Sequence, residues 1–294
     1  MKRELPSEIG DLLAGAGLAL LANQIVDGFL IGLHHGTRRG TGTEFSQYRS
    51  YQPGDDIRLI DWKMFARSDR YYIKESETET SITVRFFLDT SASMAYIENG
   101  IARVEYASLI VASLATLAHR QGDSIGLHIV DSEQRTDLAP RRKKQQLNQL
   151  YENLESVESK GTWPESAEWV TECTSHQNEL WIFGSDMLDE PDTWKEIREL
   201  GETFGHEQLF LQILSKEELE LNLDGVTTVR DPESQMERTI KTGAVKESYQ
   251  SNLQAYLYDL DDAVAGRRSG RELFIMNQPV QDVLRTYLSK RSRI

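Results

Sequence analysis

An apolar run that stops at a carboxylate is the feature that most constrains the fold of this chain. Residues Ile82 to Leu88 have the composition of a buried strand, and Asp89, Ser91 and Ser93 follow it at alternate positions. A helix-compatible segment comes next. In open α/β sheets the binding crevice lies at the carboxyl ends of the strands. This order therefore predicts an α/β fold with three oxygen-bearing side chains at that edge of the sheet.

Strands and helices alternate from about residue 80 onward, a pattern typical of a mostly parallel sheet with helices on both faces. The predicted strands are 82–88, 124–130, 179–183, 208–214 and 272–276. The predicted helices are 102–119, 141–154, 164–174, 192–203, 244–265 and 280–291. Turn residues within 219–241 indicate a small inserted β-ribbon. We therefore predict a doubly wound, mostly parallel sheet.

The segment ahead of this alternation has a different character. Residues 8–32 read as a helix, and residues 34–80 are rich in glycine, arginine and aspartate. Because arginine pairs bidentately with carboxylates, we interpret this block as an ion-pair network that fixes a loop-rich extension onto the sheet. A partner-binding surface is the alternative. The predicted domains are an extension over 1–80, packed on a main domain over 81–294.

Charge and cysteine content exclude several classes of function. The formal net charge of −14 disfavours nonspecific binding to nucleic acid or to anionic membranes. A single cysteine, Cys173, excludes an internal disulfide and a cysteine-rich zinc site. We expect no nucleic-acid partner, and the cysteine usage fits a reducing compartment.

The most apolar early stretch, Leu12 to Leu33, is interrupted by Asn23, Gln24 and Asp27. Its uninterrupted apolar part is shorter than the ~20 residues that a bilayer span requires. The first residues are polar and charged, unlike a signal peptide. A packed amphipathic helix, no membrane span and a cytoplasmic location are therefore expected.

Two further polar positions belong at the same edge of the predicted sheet. Asp186 follows the strand that ends near residue 183, and Thr162 lies in a loop between two helices. With Asp89, Ser91 and Ser93 they form an oxygen-only ligand set, which suits a hard cation such as Mg²⁺. Hydroxyls and carboxylates that follow strands also cap helices, and helix capping is the alternative for each of these segments considered separately.

Two motifs identify a resemblance. Asp89 to Met94 matches the Asp-x-Ser-x-Ser signature of von Willebrand factor A domains. The upstream block resembles the signature of the bacterial "domain of unknown function 58" family over Gly40–Phe45, Arg49–Arg58, Ile60–Trp62 and Ala66–Arg67. The resemblance implies a von Willebrand factor A-like sheet with an amino-terminal extension.

The same resemblance implies a metal-ion-dependent adhesion site. In such domains the first Asp and both Ser positions bind Mg²⁺ or Mn²⁺, which here are Asp89, Ser91 and Ser93. A distal Thr and Asp complete the site, and the matching positions are Thr162 and Asp186. Genes of this family often neighbour MoxR-type AAA+ ATPases, which implies such a motor as a partner.

Three functions compete on this basis. The first is a non-enzymatic protein-interaction module, in which an Asp or Glu of a partner ligates the bound metal. The second is a Mg²⁺-dependent phosphatase with Asp89 as nucleophile, although position 91 is Ser where such enzymes carry a second carboxylate. The third is a structural scaffold whose site binds no ion.

Overall fold

The computed structural model describes residues 17–36, 47–52, 55–57, 60–75, 81–132, 135–174, 178–221, 226–233 and 236–291. The chain divides into two compact units. The larger comprises Met1–Ile31 and Ile82–Ile294, and the smaller comprises Gly32–Ser81.

The described elements are numbered here in chain order. The strands are β1 Gln47–Ser50, β2 Tyr72–Glu75, β3 Thr83–Asp89, β4 Ile97–Glu98, β5 Ile101–Ala102, β6 Ser124–Val130, β7 Arg135–Arg141, β8 Glu179–Ser185, β9 Glu207–Leu214, β10 Val226–Arg230, β11 Glu237–Lys241 and β12 Ser269–Ile275. The helices are α1 Leu18–Gly36, α2 Trp62–Ser68, α3 Arg103–Arg120, α4 Lys144–Glu155, α5 Trp169–Cys173, α6 Pro191–Thr203, α7 Lys216–Glu220, α8 Thr242–Val264 and α9 Val280–Arg291. A 3₁₀ helix spans Ala92–Ala95.

The larger unit is built on a six-stranded sheet with the order β12-β9-β8-β3-β6-β7. Neighbouring strands are parallel except at the β6–β7 pair, which is antiparallel. The chain first builds outward from β3 through β6 and then returns to build outward on the other side through β8. The strand order therefore reverses between β3 and β8, and doubly wound sheets bind their ligands at this point.

Both faces of the sheet are covered by apolar side chains. On one face Phe86 and Leu88 are buried in the core cluster that also contains Ile110 of α3. On the other face Phe87 stacks on Phe183, with 4.5 Å between ring centroids. Burial on both faces is why β3 reads as a continuous apolar run rather than as an alternating one. The predicted fold class, a doubly wound and mostly parallel α/β sheet, is confirmed by this strand order.

Helix α1 belongs to the unit that contains the sheet. Leu18, Leu21, Ala22 and Ile25 lie in the core cluster of that unit. The predicted boundary at residue 80 separated this helix from the sheet, whereas the structure places the described residues 17–31 in the unit that contains the sheet. Residues 8–16 of the predicted helix lie outside the described residues. Among the helices that the structure describes, none combines the length and the apolar content needed to cross a membrane.

The smaller unit pairs β1 with β2 in an antiparallel ribbon. Helix α2 begins at Trp62 because the carboxylate of Asp61 accepts hydrogen bonds from the backbone N–H groups of Lys63 and Met64, at 2.9 and 3.0 Å. One aspartate of the predicted ion-pair block thus caps a helix. Gly40–Phe45 and Arg58 of the family signature lie outside the described residues.

The sequence analysis missed the edge strand β7. Its residues are mostly exposed and carry no apolar run, and Pro140 interrupts it where an edge strand tolerates proline. The predicted helix 141–154 begins later, at Lys144, and the predicted helix 164–174 is reduced to α5. The predicted β-ribbon is confirmed as β10 paired with β11.

A buried ion pair joins the two central strands. Arg85 of β3 donates to Glu179 of β8 through Nε and Nη2 at 2.7 and 3.0 Å, and Trp181 donates to the same carboxylate at 3.0 Å. Replacing Glu179 with Ala leaves this guanidinium buried without a counter-charge. The free energy of unfolding, measured by urea denaturation, should fall by ~3–5 kcal/mol.

The exposed Arg285–Asp282 pair is the matched control. Arg285→Ala should change the free energy of unfolding by no more than ~1 kcal/mol, because solvent screens surface pairs. Equal effects of the two substitutions would contradict this account of the β3–β8 contact.

Candidate metal centre

The centre is built where β3 and β8 end side by side. Asp89 is the last residue of β3 and Ser185 is the last residue of β8, and their side chains meet. The Ser185 hydroxyl donates to Asp89 Oδ2 at 2.6 Å, and the backbone N–H of Ser91 donates to Asp89 Oδ1 at 2.8 Å. Asp89 is fully buried.

The loop after β3 turns its hydroxyls toward each other. Ser91 precedes the 3₁₀ helix, but its side chain forms no capping hydrogen bond. Its Oγ instead lies 2.9 Å from Oγ of Ser93. The helix-capping alternative considered for the sequence therefore does not describe what Ser91 does here.

Asp186 joins this group from β8. Its carboxylate accepts a hydrogen bond from the Ser93 side chain and, through Oδ1, from the backbone N–H of Leu188 at 3.3 Å. The next residue, Met187, has a left-handed φ of 52°, which is uncommon for a side chain of this size. Its N–H donates to the Ser185 hydroxyl at 2.9 Å, a contact that favours this turn at the end of β8.

The structure therefore brings four of the five predicted ligands into one hydrogen-bonded group. Asp89, Ser91 and Asp186 are buried and Ser93 is half-buried. We refer to Asp89, Ser91, Ser93, Ser185 and Asp186 together as the carboxylate–hydroxyl group.

Thr162, the fifth predicted ligand, lies in an exposed position on a neighbouring loop. Its main chain is fixed by Ser132, which accepts from the Thr162 N–H at 3.0 Å and donates to the Thr162 carbonyl at 2.8 Å. The preceding residue, Gly161, has a left-handed φ of 67° and accepts from the Ala92 N–H at 2.9 Å. The loop thus contacts the residues after Asp89, but the Thr162 hydroxyl makes no hydrogen bond to the carboxylate–hydroxyl group among the contacts of the described residues.

Burial dominates the electrostatics of the centre. Burial, and after it the negative charge of Asp186, raise the pKa of Asp89 from 3.8 to about 8, against the lowering effect of hydrogen bonds from Ser185 and Ser91. Burial also raises the pKa of Asp186, against the lowering effect of the Arg103 guanidinium. Within the described residues no basic side chain forms an ion pair with Asp89.

Sequence analysis did not identify Arg103, the first residue of α3. Its fully buried guanidinium forms ion pairs with Asp186 and with Glu218 of α7, and it lies over the ring of Tyr96, 5.2 Å from the centroid. Glu218 in turn accepts from the N–H of Ser215 at 2.8 Å in a capping box. Nothing local in the sequence distinguishes Arg103 from a solvated arginine, because both its partners are remote in the chain.

The donors fit a hard divalent cation. The carboxylate–hydroxyl group offers only oxygen atoms, as Mg²⁺ and Mn²⁺ prefer. Both of its carboxylates are buried, and Arg103 pairs with Asp186 while also pairing with Glu218 outside the group. A cation between them would remove the cost of burying Asp89 as an anion.

A second set of ligand-type side chains lies elsewhere in the larger unit. One atom each of His128, Asp137 and Cys173 falls within 4.8 Å of the others. Asp137 already accepts from His128 Nδ1 at 2.7 Å and pairs with Arg135 at 3.0 Å. Burial raises the pKa of the Cys173 thiol to about 11, so this set is electrically balanced without a cation.

The raised pKa of Asp89 predicts a pH dependence of stability. Between pH 4 and pH 8 the native state holds a proton on Asp89 that the unfolded chain has released, so stability is highest at low pH and falls as pH rises. In the presence of EDTA, the wild-type free energy of unfolding should decline relative to that of Asp89→Asn by up to about 1.4 kcal/mol per pH unit across this window.

Taking the difference between wild type and Asp89→Asn removes the contribution of the buried histidines, which both proteins share. Urea denaturation at a series of pH values measures it. Parallel stability profiles for the two proteins would show that Asp89 titrates normally and that its burial carries no charge penalty.

Comparison with known proteins gives the family. The family model described as "Protein of unknown function DUF58" matches residues 47–256. The uncharacterized proteins Rv1480 of Mycobacterium tuberculosis and Mb1516 of Mycobacterium bovis are each 24% identical over 263 residues, which is 85% of this chain and 80% of the relative.

Two solved structures are similar to this chain in fold. The conserved hypothetical protein BatB from Bacteroides thetaiotaomicron is 16% identical, with a TM-score of 0.47 over 73% of this chain and 100% of that chain. The SpRpn10 VWA domain is 9% identical, with a TM-score of 0.43 over 70% and 94% of the respective chains. The fold assignment rests on the strand order rather than on these scores, and the match over residues 47–256 shows that the chain belongs to the family of proteins of unknown function DUF58.

Proposed function

We propose that this chain is a protein-interaction module that binds a partner through a divalent cation held by its carboxylate–hydroxyl group. The observation that supports this most directly is the burial of Asp89 beside Asp186, within a set of serine hydroxyls and without an ion pair to any basic side chain that the structure describes. Mg²⁺ or Mn²⁺ is the cation of choice because all donors are oxygens.

The residues have distinct roles in this proposal. Asp89, Ser91 and Ser93 hold the cation, Asp186 completes the charge balance, and Thr162 approaches from the adjoining loop. When bound, the cation supplies a Lewis-acidic position for one further oxygen ligand. Ser185 positions Asp89, and Arg103 pairs with Asp186 and opposes the rise of its pKa that burial causes.

The ligand from the partner is proposed to be a carboxylate. Arg103 is shared between Asp186 and Glu218, so the centre holds few full negative charges for a divalent cation. A cation that is incompletely neutralised by its own protein attracts an anionic side chain from another. An Asp or Glu of a partner, with a MoxR-type AAA+ ATPase as the candidate that the family resemblance implies, would fill this position.

The chemistry of the residues after Asp89 favours partner binding over phosphatase activity. Phosphatases that use an aspartate nucleophile need a second carboxylate two residues later, and Ser91 occupies that position here. The hydroxyl of Ser91 contacts Ser93 and Asp89 within the centre. We therefore propose no enzymatic activity for this centre.

Calorimetric titration tests the cation. Wild-type protein should give saturable heat with Mg²⁺ and with Mn²⁺. Asp89→Asn keeps the size of the side chain but removes the charge of a proposed ligand. It should weaken cation binding at least about 100-fold, because the loss of a residue that only hydrogen-bonds to a metal ligand already weakens binding by up to about 100-fold.

Asp131→Asn is the matched control for that titration. Asp131 is also a buried carboxylate at this edge of the sheet, but it accepts a hydrogen bond from Thr90 rather than facing Asp186. Its substitution should leave the heat unchanged. Absence of saturable heat with the wild-type protein would favour a scaffold without a bound ion.

Capture of a partner tests the interaction. Immobilised protein should retain a MoxR-type AAA+ ATPase from the same organism in Mg²⁺ and release it in EDTA. Ser93→Ala should reduce retention, because it removes one oxygen from the centre and one hydrogen bond from Asp186. Retention that is equal in Mg²⁺ and in EDTA would contradict a metal-mediated contact.

A further inference from the structure

A groove opens directly beside the proposed metal centre. Its cavity has a volume of about 930 Å³, and Ser93, Arg103 and Asp186 of the centre lie in its wall. The remaining wall comes from Tyr96, from the turn after β8, from α7 and the residue after it, from the end of β10 with the turn that follows it, and from the first turns of α8. We call this cavity the ribbon groove. Its volume is large enough for several side chains of a bound segment.

The walls of the ribbon groove offer apolar contacts to such a segment. Leu188 and Val229 are 45% and 37% exposed, which is high for aliphatic side chains that line a cavity. Val245 and Tyr249 contribute further apolar surface from α8. Exposed aliphatic side chains around a concave surface are typical of binding sites.

The charge of the groove is strongly one-sided. Among the described residues, its lining contains six acidic side chains and two arginines: Asp186, Asp189, Glu217, Glu218, Asp231 and Glu233 against Arg103 and Arg230. Arg103 is already engaged by Asp186 and Glu218, and Glu217 accepts a hydrogen bond from Tyr96 at 2.8 Å. Charge complementarity therefore requires positive charge from whatever occupies the groove.

Asp189 and Glu233 are the two carboxylates of the groove that need this charge most. Neither forms an ion pair with a basic side chain in the part of the chain that the structure describes. Partial burial, together with the charges of Asp186 and Glu233, raises the pKa of Asp189 to about 7. Partial burial and the charge of Asp186 also raise the pKa of Glu233. The three carboxylates are thus close enough to repel one another.

We propose that the ribbon groove binds an extended segment of a protein partner in which a Lys or Arg adjoins the acidic residue that ligates the metal. The basic side chain lies against Asp189 and Glu233, and its alkyl stem lies along Leu188 and Val229. This inference rests on the proposed function, because it specifies which type of residue lies next to the partner's metal-ligating residue. A segment with two adjacent acidic residues is repelled by the groove and is selected against.

Selection from a random peptide library displayed on phage tests this directly. The wild-type protein is immobilised in Mg²⁺, and bound phage are eluted with EDTA. We expect eluted peptides to carry an Asp or Glu with a Lys or Arg close to it. Replacing that basic residue with Ala in a synthetic copy of an enriched peptide should weaken its binding about tenfold, as expected for a charge pair in a partly desolvated groove.

The double variant Asp189→Asn, Glu233→Gln is the matched control. Neutral side chains of the same shape relieve the repulsion within the groove, so the variant should fold and should bind Mg²⁺ as the wild type does. It should no longer distinguish the basic peptide from its Ala counterpart. If this variant retained the tenfold preference, the basic residue would contact another surface and the inference would be wrong.

The other outcomes separate this inference from the proposed function. EDTA-eluted peptides with an acidic residue but no enrichment of Lys or Arg would overturn the inference alone. Peptides rich in Lys or Arg that resist EDTA would support the groove and overturn the metal-mediated contact. No selected peptide at all would contradict both. A second Mg²⁺ equivalent that disappears in the double variant would show that a cation occupies the groove, and would also overturn the inference.

Discussion

Two carboxylates, Asp89 and Asp186, are buried together at the point where the strand order of the sheet reverses. Burying an anion is costly unless it is paired or hydrogen-bonded, and here the neighbouring charge adds to that cost. Three serines and one arginine supply the compensation within the protein. The proposed cation would supply the rest.

The compensation by Arg103 also connects the centre to the rest of the larger unit. One arginine contacts Asp186 inside the centre and Glu218 on α7, and α7 precedes the ribbon that forms one wall of the groove. The hydroxyl of Tyr249, on α8, donates to the Glu218 carbonyl at 2.8 Å. The centre and its adjoining groove are thus held by one continuous set of polar contacts, so the metal ligand and the neighbouring residue of a partner would be recognised together.

The predictable parts of the fold are those in which the hydrophobic pattern of the local sequence matches the burial of the element. The strand over 82–88 and the helix over 102–119 are nearly as predicted, because a fully buried strand and a helix packed on it carry continuous apolar signals. Strand β7 was not predicted, because a strand at the sheet edge that is mostly exposed has a polar sequence.

At the centre, Asp89, Ser91, Ser93 and Asp186 were predicted from their positions after strands, and the structure brings them together. The contact of Ser185 with Asp89 and that of Arg103 with Asp186 were not predicted, because each joins residues remote in sequence, 96 and 83 positions apart. Thr162 remains a predicted ligand.

The central claim is that a hard cation binds between Asp89 and Asp186, and its most direct test is an anomalous diffraction map from crystals of the protein grown in Mn²⁺. The account predicts a strong anomalous peak within about 2–2.5 Å of a carboxylate oxygen of Asp89 and of the hydroxyls of Ser91 and Ser93. A map with no peak there, or with its peak at His128 and Cys173 instead, would contradict it.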